Sequence, residues 1–121
     1  MSDVPLAKIR SDLVQGVAII DLLPRELTEP AESARLGAAL RSVLDANVSD
    51  RLLLNLKATH YLSSSAFAAL LSFGLRARET NARVAICRMD PAVRFGANII
   101  RLGDVVPIYD DEPTALAALI V

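Results

Sequence analysis

The chain is poor in the residues that most often announce chemistry. Its 121 residues hold one cysteine, one histidine and no tryptophan, and aromatic side chains make up 4%. A single cysteine excludes an internal disulfide, and a single histidine cannot supply a typical metal cluster, so a reducing cytoplasm is the expected setting. Five glycines stand apart at Gly16, Gly37, Gly74, Gly96 and Gly103, and neither a Gly-x-x-x-x-Gly-Lys nor a Gly-x-Gly-x-x-Gly loop is present to cradle a phosphate. Charge of one sign is lacking too. Thirteen Lys and Arg against fourteen Asp and Glu give a formal net charge of -1, leaving no basic surplus for a nucleic-acid backbone. The apolar runs, such as Ala66 to Leu71, fall far short of the roughly 20 residues that span a bilayer. The opening MSDVPLAKIRSD has no apolar core behind a basic start, unlike a secretory signal. No cofactor, metal, nucleic acid or direct membrane insertion is expected.

What is present is an alternation of apolar periods. With 53% hydrophobic and 22% charged residues, the chain has the balance of one globular domain, spanning residues 1–121. Val4 to Ile9 reads as a first, edge strand, Asp12 to Gly16 as a turn, and Val17 to Leu22 as a β-branched strand. Pro24 to Pro30 is a loop with two prolines. Thr28 or Glu29 is positioned to cap a helix with Pro30 in its first turn. Leu36, Leu40, Val43 and Leu44 then recur at helical spacing as far as about Asn47.

Leu52 to Leu56 is a third strand. Ser63, Ser64 and Ser65 precede Phe67, Leu70, Leu71, Gly74 and Leu75, so a serine caps a second helix that runs to about Glu79. Val84 to Cys87 is a fourth strand. Asp90 and Pro91 open a third helix with Val93, Ala97 and Ile100 inward and Arg94 and Arg101 outward, ended by Gly103. Val105 to Tyr109 is a last short strand, and Asp111, Glu112 and Pro113 open a terminal helix. The order β-β-α-β-α-β-α-β-α predicts an α/β fold with a mixed, mostly parallel sheet of four to five strands and one antiparallel edge.

No enzyme is indicated. The serine triplet lacks the Gly-x-Ser-x-Gly elbow of a hydrolase, and His60 lies too close in sequence to fit that fold's order of base and nucleophile. Asp110, Asp111 and Glu112 suit a helix N-terminus better than a metal, and Cys87 in an apolar strand reads as a small buried hydrophobe. One serine suffices for a cap. A further serine at the same helix start is a phosphorylation site the fold tolerates, because a phosphate there meets unpaired N–H groups and the positive end of the dipole.

From Arg51 to the end, and more loosely back through the first helix, the sequence resembles the bacterial anti-anti-sigma factors, antagonists of anti-sigma factors built on the STAS domain. In that family a Leu-Asp-Leu strand leads to an Asp-Ser-Ser/Thr-Gly-Leu turn, a Pro-x-Val helix and a final strand before an Ala-Leu helix. Leu54-Asn55-Leu56, Ser63-Ser64-Ser65-Ala66-Phe67, Pro91-Ala92-Val93-Arg94, Leu102, Pro107-Ile108 and Ala115-Leu116 occupy those places. The resemblance implies helices packed mainly on one face of the sheet. It also implies partner switching with an anti-sigma factor serine kinase that phosphorylates Ser64, and a serine phosphatase that reverses it. The partner surface would comprise Pro24, Arg25, Glu26, Thr28, Glu29, Ser63, Ser65, Ala66 and Phe67. Among the positions that depart from the family pattern, Ser63 replaces its aspartate, Ala66 its glycine and Phe67 its leucine, and Leu27 stands at an often acidic loop position. A constitutive interaction module is the alternative, as a scaffold in a signalling complex or a small transporter-associated subunit. Fold alone does not decide between them.

Overall fold

Strands β2 (Val17–Leu22), β4 (Arg51–Asn55) and β6 (Arg83–Cys87) form the centre of a computed structural model that describes residues 9–121. All three are apolar on both sides, as strands buried between two layers must be. Ala18, Ile20, Leu22, Leu52, Leu54, Val84 and Ile86 face one core, and Val17, Ile19, Leu53, Ala85 and Cys87 face the other. The five-stranded sheet has the order β1-β2-β4-β6-β7, where β1 is Ile9–Val14 and β7 is Ile108–Tyr109. Only β1 is antiparallel, paired to β2 from Ile9↔Leu22 to Val14↔Val17. Helices α1 (Pro30–Asp45), α2 (Ser64–Glu79) and α3 (Pro91–Ile99) contribute Leu36, Leu40, Leu70, Phe73, Val93 and Ala97 to the larger core. The expected bias of helices to one face is therefore seen. Helix α4 (Glu112–Ile120) covers the opposite face with Ala115 and Leu119. Its N-terminus is tied to the sheet by Asn55 Nδ2, which donates to Glu112 Oε1 at 2.9 Å.

Several boundaries differ from the sequence reading. Strand β1 continues to Val14, so the turn is only Gln15 and Gly16, both left-handed (φ 53° and 80°) as a two-residue hairpin requires. Of the expected Val4 to Ile9 strand, residues 4–8 lie outside the described residues. Glu29, not Thr28, caps α1, in a reciprocal capping box with Glu32. Helix α3 stops at Ile99, before Gly103. Arg101 turns the chain left-handed (φ 58°) into a 3-10 turn at Leu102–Asp104. Ile100 is thereby left on the surface, 40% exposed, instead of inward. The expected Val105 to Tyr109 strand shortens to Ile108–Tyr109, because Val106 is taken up by the core instead. It packs on Gly74 of α2, where a Cβ would collide with it.

Two strands escape sequence reading altogether. Glu26–Leu27 (β3) and Tyr61–Leu62 (β5) pair in parallel as a separate ribbon. Two-residue strands have no detectable period, yet this ribbon is what assembles the site.

Candidate functional site

After β4 the chain loops from Leu56 to His60, and buried Thr59 fastens it by donating from Oγ1 to the Pro24 carbonyl at 2.7 Å. The His60 N–H donates to the Arg25 carbonyl at 2.8 Å and the Ser63 N–H to the Leu27 carbonyl at 2.9 Å. With the Glu26↔Tyr61 and Leu27↔Leu62 pairs, these bonds hold residues 24–27 beside residues 59–63. Leu27, only 2% exposed, anchors the ribbon in the core. An apolar side chain at that position therefore has a structural reason.

The three serines at the start of α2 divide their duties. Ser63 is the N-cap, its Oγ accepting from the Ala66 N–H at 3.3 Å. Ser65 turns toward α1, with its Oγ 3.0 Å from Ser33 Oγ and 3.0 Å from Ser63 Oγ. Ser33 is buried, so this hydroxyl chain satisfies a polar group inside the helix interface. Ser64 is exposed, and its side chain has no hydrogen-bond partner among the described residues. It is the first residue of a 16-residue helix whose first turn carries no acidic side chain. The helix itself therefore supplies no carboxylate to offset the positive end of its dipole.

Helix α3 adjoins this helix start. His60 Nδ1 lies 2.9 Å from Asp90 Oδ2, while Asp90 Oδ1 caps α3 by accepting from the Ala92 N–H at 2.9 Å. The His60 hydrogen bond first, and the Ala92 N–H second, hold the Asp90 carboxyl below the usual carboxylate range. The ring of Phe67 rests on Gly96 of α3, with ring carbons 2.8 and 2.9 Å from where a Cβ would sit. Only glycine admits that contact.

Of the sequence-predicted partner residues, Arg25, Glu26, Thr28 and Glu29 are exposed around Ser64's helix start, and Pro24, Ser63 and Ser65 are half-buried. Ala66 and Phe67 are both buried, Phe67 with its ring against Gly96 of α3. They support the surface from beneath. Sequence reasoning missed Ser33 and Thr59, whose partners are 32 residues away or more and leave no local signal. His60 is bound to Asp90 and not to a serine hydroxyl. Cys87 is fully buried, and burial, reinforced by the charge of Glu112, pushes its thiol up to about 12. That leaves it a packing residue with almost no thiolate.

The model of the STAS domain family matches residues 14–115, which include every element from β2 to β7. The chain belongs to the STAS domain family. No curated protein matches it in sequence. Among solved structures, this STAS domain is similar to an anti-sigma-factor antagonist (STAS) domain protein from Planctomyces limnophilus. The two are 21% identical, with 93% of this chain and 98% of that chain covered and a TM-score of 0.81. A candidate anti-sigma factor antagonist from Thermotoga maritima matches at 15% identity over 94% and 96% of the two chains, with a TM-score of 0.80. The Bacillus cell fate determinant SpoIIAA, in its phosphorylated form, matches at 14% identity over 91% and 97%, with a TM-score of 0.67. At such identities the likeness speaks for the fold. Among the described residues no helix is long and apolar enough to cross a membrane.

Proposed function

We propose that this STAS domain is an anti-sigma factor antagonist that works by partner switching in the cytoplasm. It binds an anti-sigma factor serine kinase through the first turn of α2 and the neighbouring segment from Pro24 to Glu29. Transfer of a phosphoryl group to Ser64 ends the interaction, and a serine phosphatase restores it. The observation that carries this reading is the division of labour among the serines. Ser63 is spent on the cap and Ser65 on Ser33, so within this triplet only Ser64 offers a free, exposed hydroxyl. Similarity to anti-sigma factor antagonists, including a SpoIIAA structure in its phosphorylated form, supports it.

The chemistry is simple. The Ser64 Oγ attacks the γ-phosphorus of ATP held by the kinase, the bond to ADP breaks, and the hydroxyl proton passes to the kinase. The product carries about -1.5 to -2 charges where a neutral hydroxyl stood. Within this domain the new charge is welcome at the helix start. A partner packed against the same turn meets repulsion and a desolvation cost instead. Ser63, in place of the family's aspartate, keeps the capping bond without placing a second negative charge beside the acceptor. Binding of the kinase to purified variants tests the reading. Ser64→Asp should lose binding while Ser64→Ala retains it, and equal binding by the two would refute the switch.

A further inference from the structure

We infer that the free edge of β1 is a self-pairing surface, on which a second copy of this chain adds its own β1, antiparallel and centred on Ser11. The inference goes beyond the switch and does not depend on it. Strand β1 ends the five-stranded sheet, and among the described residues no strand lies beyond it. It carries no proline and no bulge, and its register with β2 is unbroken from Ile9 to Val14. A regular edge of this kind is a template for another strand. The hairpin fixes the backbone directions. Val14 and Val17 close its two-residue turn and exchange hydrogen bonds, and by alternation so do Asp12 with Ile19 and Arg10 with Asp21. The N–H and C=O groups of Ile9, Ser11 and Leu13 therefore point outward. In keeping with this, the Leu13 N–H finds only the carboxylate of its neighbour, donating to Asp12 Oδ1 at 2.9 Å.

The occupant follows from the charges. In Ile9-Arg10-Ser11-Asp12-Leu13 opposite charges stand symmetrically about Ser11. A two-fold axis at Ser11, the closed symmetry usual in dimers, makes two such strands antiparallel. Backbone bonds then join the two Ser11 residues, and Ile9 of each copy to Leu13 of the other. Arg10 faces Asp12 of the second copy at a non-hydrogen-bonded position, where side chains approach most closely. The nearest alternative registers put the axis on Arg10 or on Asp12. They set Arg10 against Arg10 or Asp12 against Asp12, and like charges directly opposite are unfavourable. One register of the chain with itself is thus singled out, and an unrelated strand has no reason to carry the matching pattern. No bond is lost on pairing: the Leu13 N–H passes to the Ile9 carbonyl of the second copy, and Asp12 turns to Arg10. Arg10 also donates to Asp21 Oδ2 of its own chain at 3.2 Å, so it sits between two carboxylates. On the other face Leu13, 53% exposed, meets Ile9 of the second copy. In the sheet β2 separates β1 from β4 and β6, the strands that α2 connects, so the pair presents two Ser64 sites.

Sedimentation velocity of the full chain from about 10 µM to about 1 mM, the range for a small interface, tests this together with isotope-filtered NMR on mixed labelled and unlabelled chain. The expected result is a reversible dimer with an intermolecular contact between Arg10 Hα and Asp12 Hα, which oppose each other in this register. Asp12→Arg, which sets like charges opposite, should weaken dimerisation by about tenfold or more. Ser11→Pro removes an N–H that faces outward from the edge, so the variant should fold as wild type does and stay monomeric throughout. A wild-type chain that is monomeric at the highest concentration, its edge left to some other protein's strand, would overturn the inference. So would a dimer that lacks the Arg10–Asp12 contact, and neither result depends on a variant folding. A dimer equally strong in Asp12→Arg or Ser11→Pro would also overturn it, and would put the second copy on another surface.

Discussion

Replacing Ser64 by aspartate should stabilise the free domain while it destroys the interaction, and the size of the gain can be worked from the structure. Ser63 satisfies the Ala66 N–H, which leaves the N–H groups of Ser64 and Ser65 pointing out of the helix start without a side-chain cap. The first turn has no acidic residue, whereas the last turn already has Arg76 and Arg78 against the opposite pole. A carboxylate in the first turn of such a helix contributes about 0.3–1 kcal/mol at low ionic strength. Serine and aspartate have similar helix propensities, so little of this is lost to the exchange. For a domain of this size the melting temperature should rise by about 1–5 °C. Thermal or urea unfolding at 20 mM and at 1 M salt reads the effect directly, since the gain must fade as the Debye length shrinks to about 3 Å. Its pH dependence has a fixed sign. The helix start depresses the folded-state pKa of the introduced carboxyl, so the added stability is present above the unfolded value of about 3.9 and is lost as pH falls through the folded value. Ser64→Ala, removing a hydroxyl that bonds nothing among the described residues, should stay within about 0.5 kcal/mol of wild type. A Ser64→Asp variant less stable than wild type at low salt, or equally stabilised at 1 M, would refute this reading of the helix start.

Three further outcomes are expected. Ser33→Ala and Ser65→Ala should each cost about 1 kcal/mol by urea denaturation, and the double variant less than their sum, because they delete the same hydroxyl bond. Asn55→Asp would set a carboxylate against Glu112 in place of the 2.9 Å amide donor. A loss of about 1–3 kcal/mol at pH 7 should follow, recovering as pH falls and the crowded carboxylate pair takes up a proton. Cys87 should resist thiol reagents in the native protein and react only on unfolding, and rapid native labelling would contradict its burial.

The sequence exposes the layers of this fold because its central strands are short apolar runs and its helices carry cap signals that can be read locally. Ser63, Asp90 and Asp111 each accept an N–H at the helix start they precede. What escaped reading depends on distance in the chain. The β3–β5 ribbon rests on two pairs of residues, and the link from Ser65 to Ser33 spans 32 positions. Nothing in the triplet Ser63-Ser64-Ser65 says which hydroxyl is free until the neighbouring helix is in place. The same holds for Phe67 and Ile100. Their hydrophobicity predicts burial for both, and only the wedge against Gly96 and the left-handed turn at Arg101 send one inward and the other out.

Phosphorylation-site mapping by mass spectrometry, on the chain recovered from its native host during growth and under stress, tests the central claim most directly. The account predicts one phosphate, on Ser64, whose occupancy changes between the two conditions. A chain free of phosphate in both, or one modified on Ser63 or Ser65 instead, would contradict it.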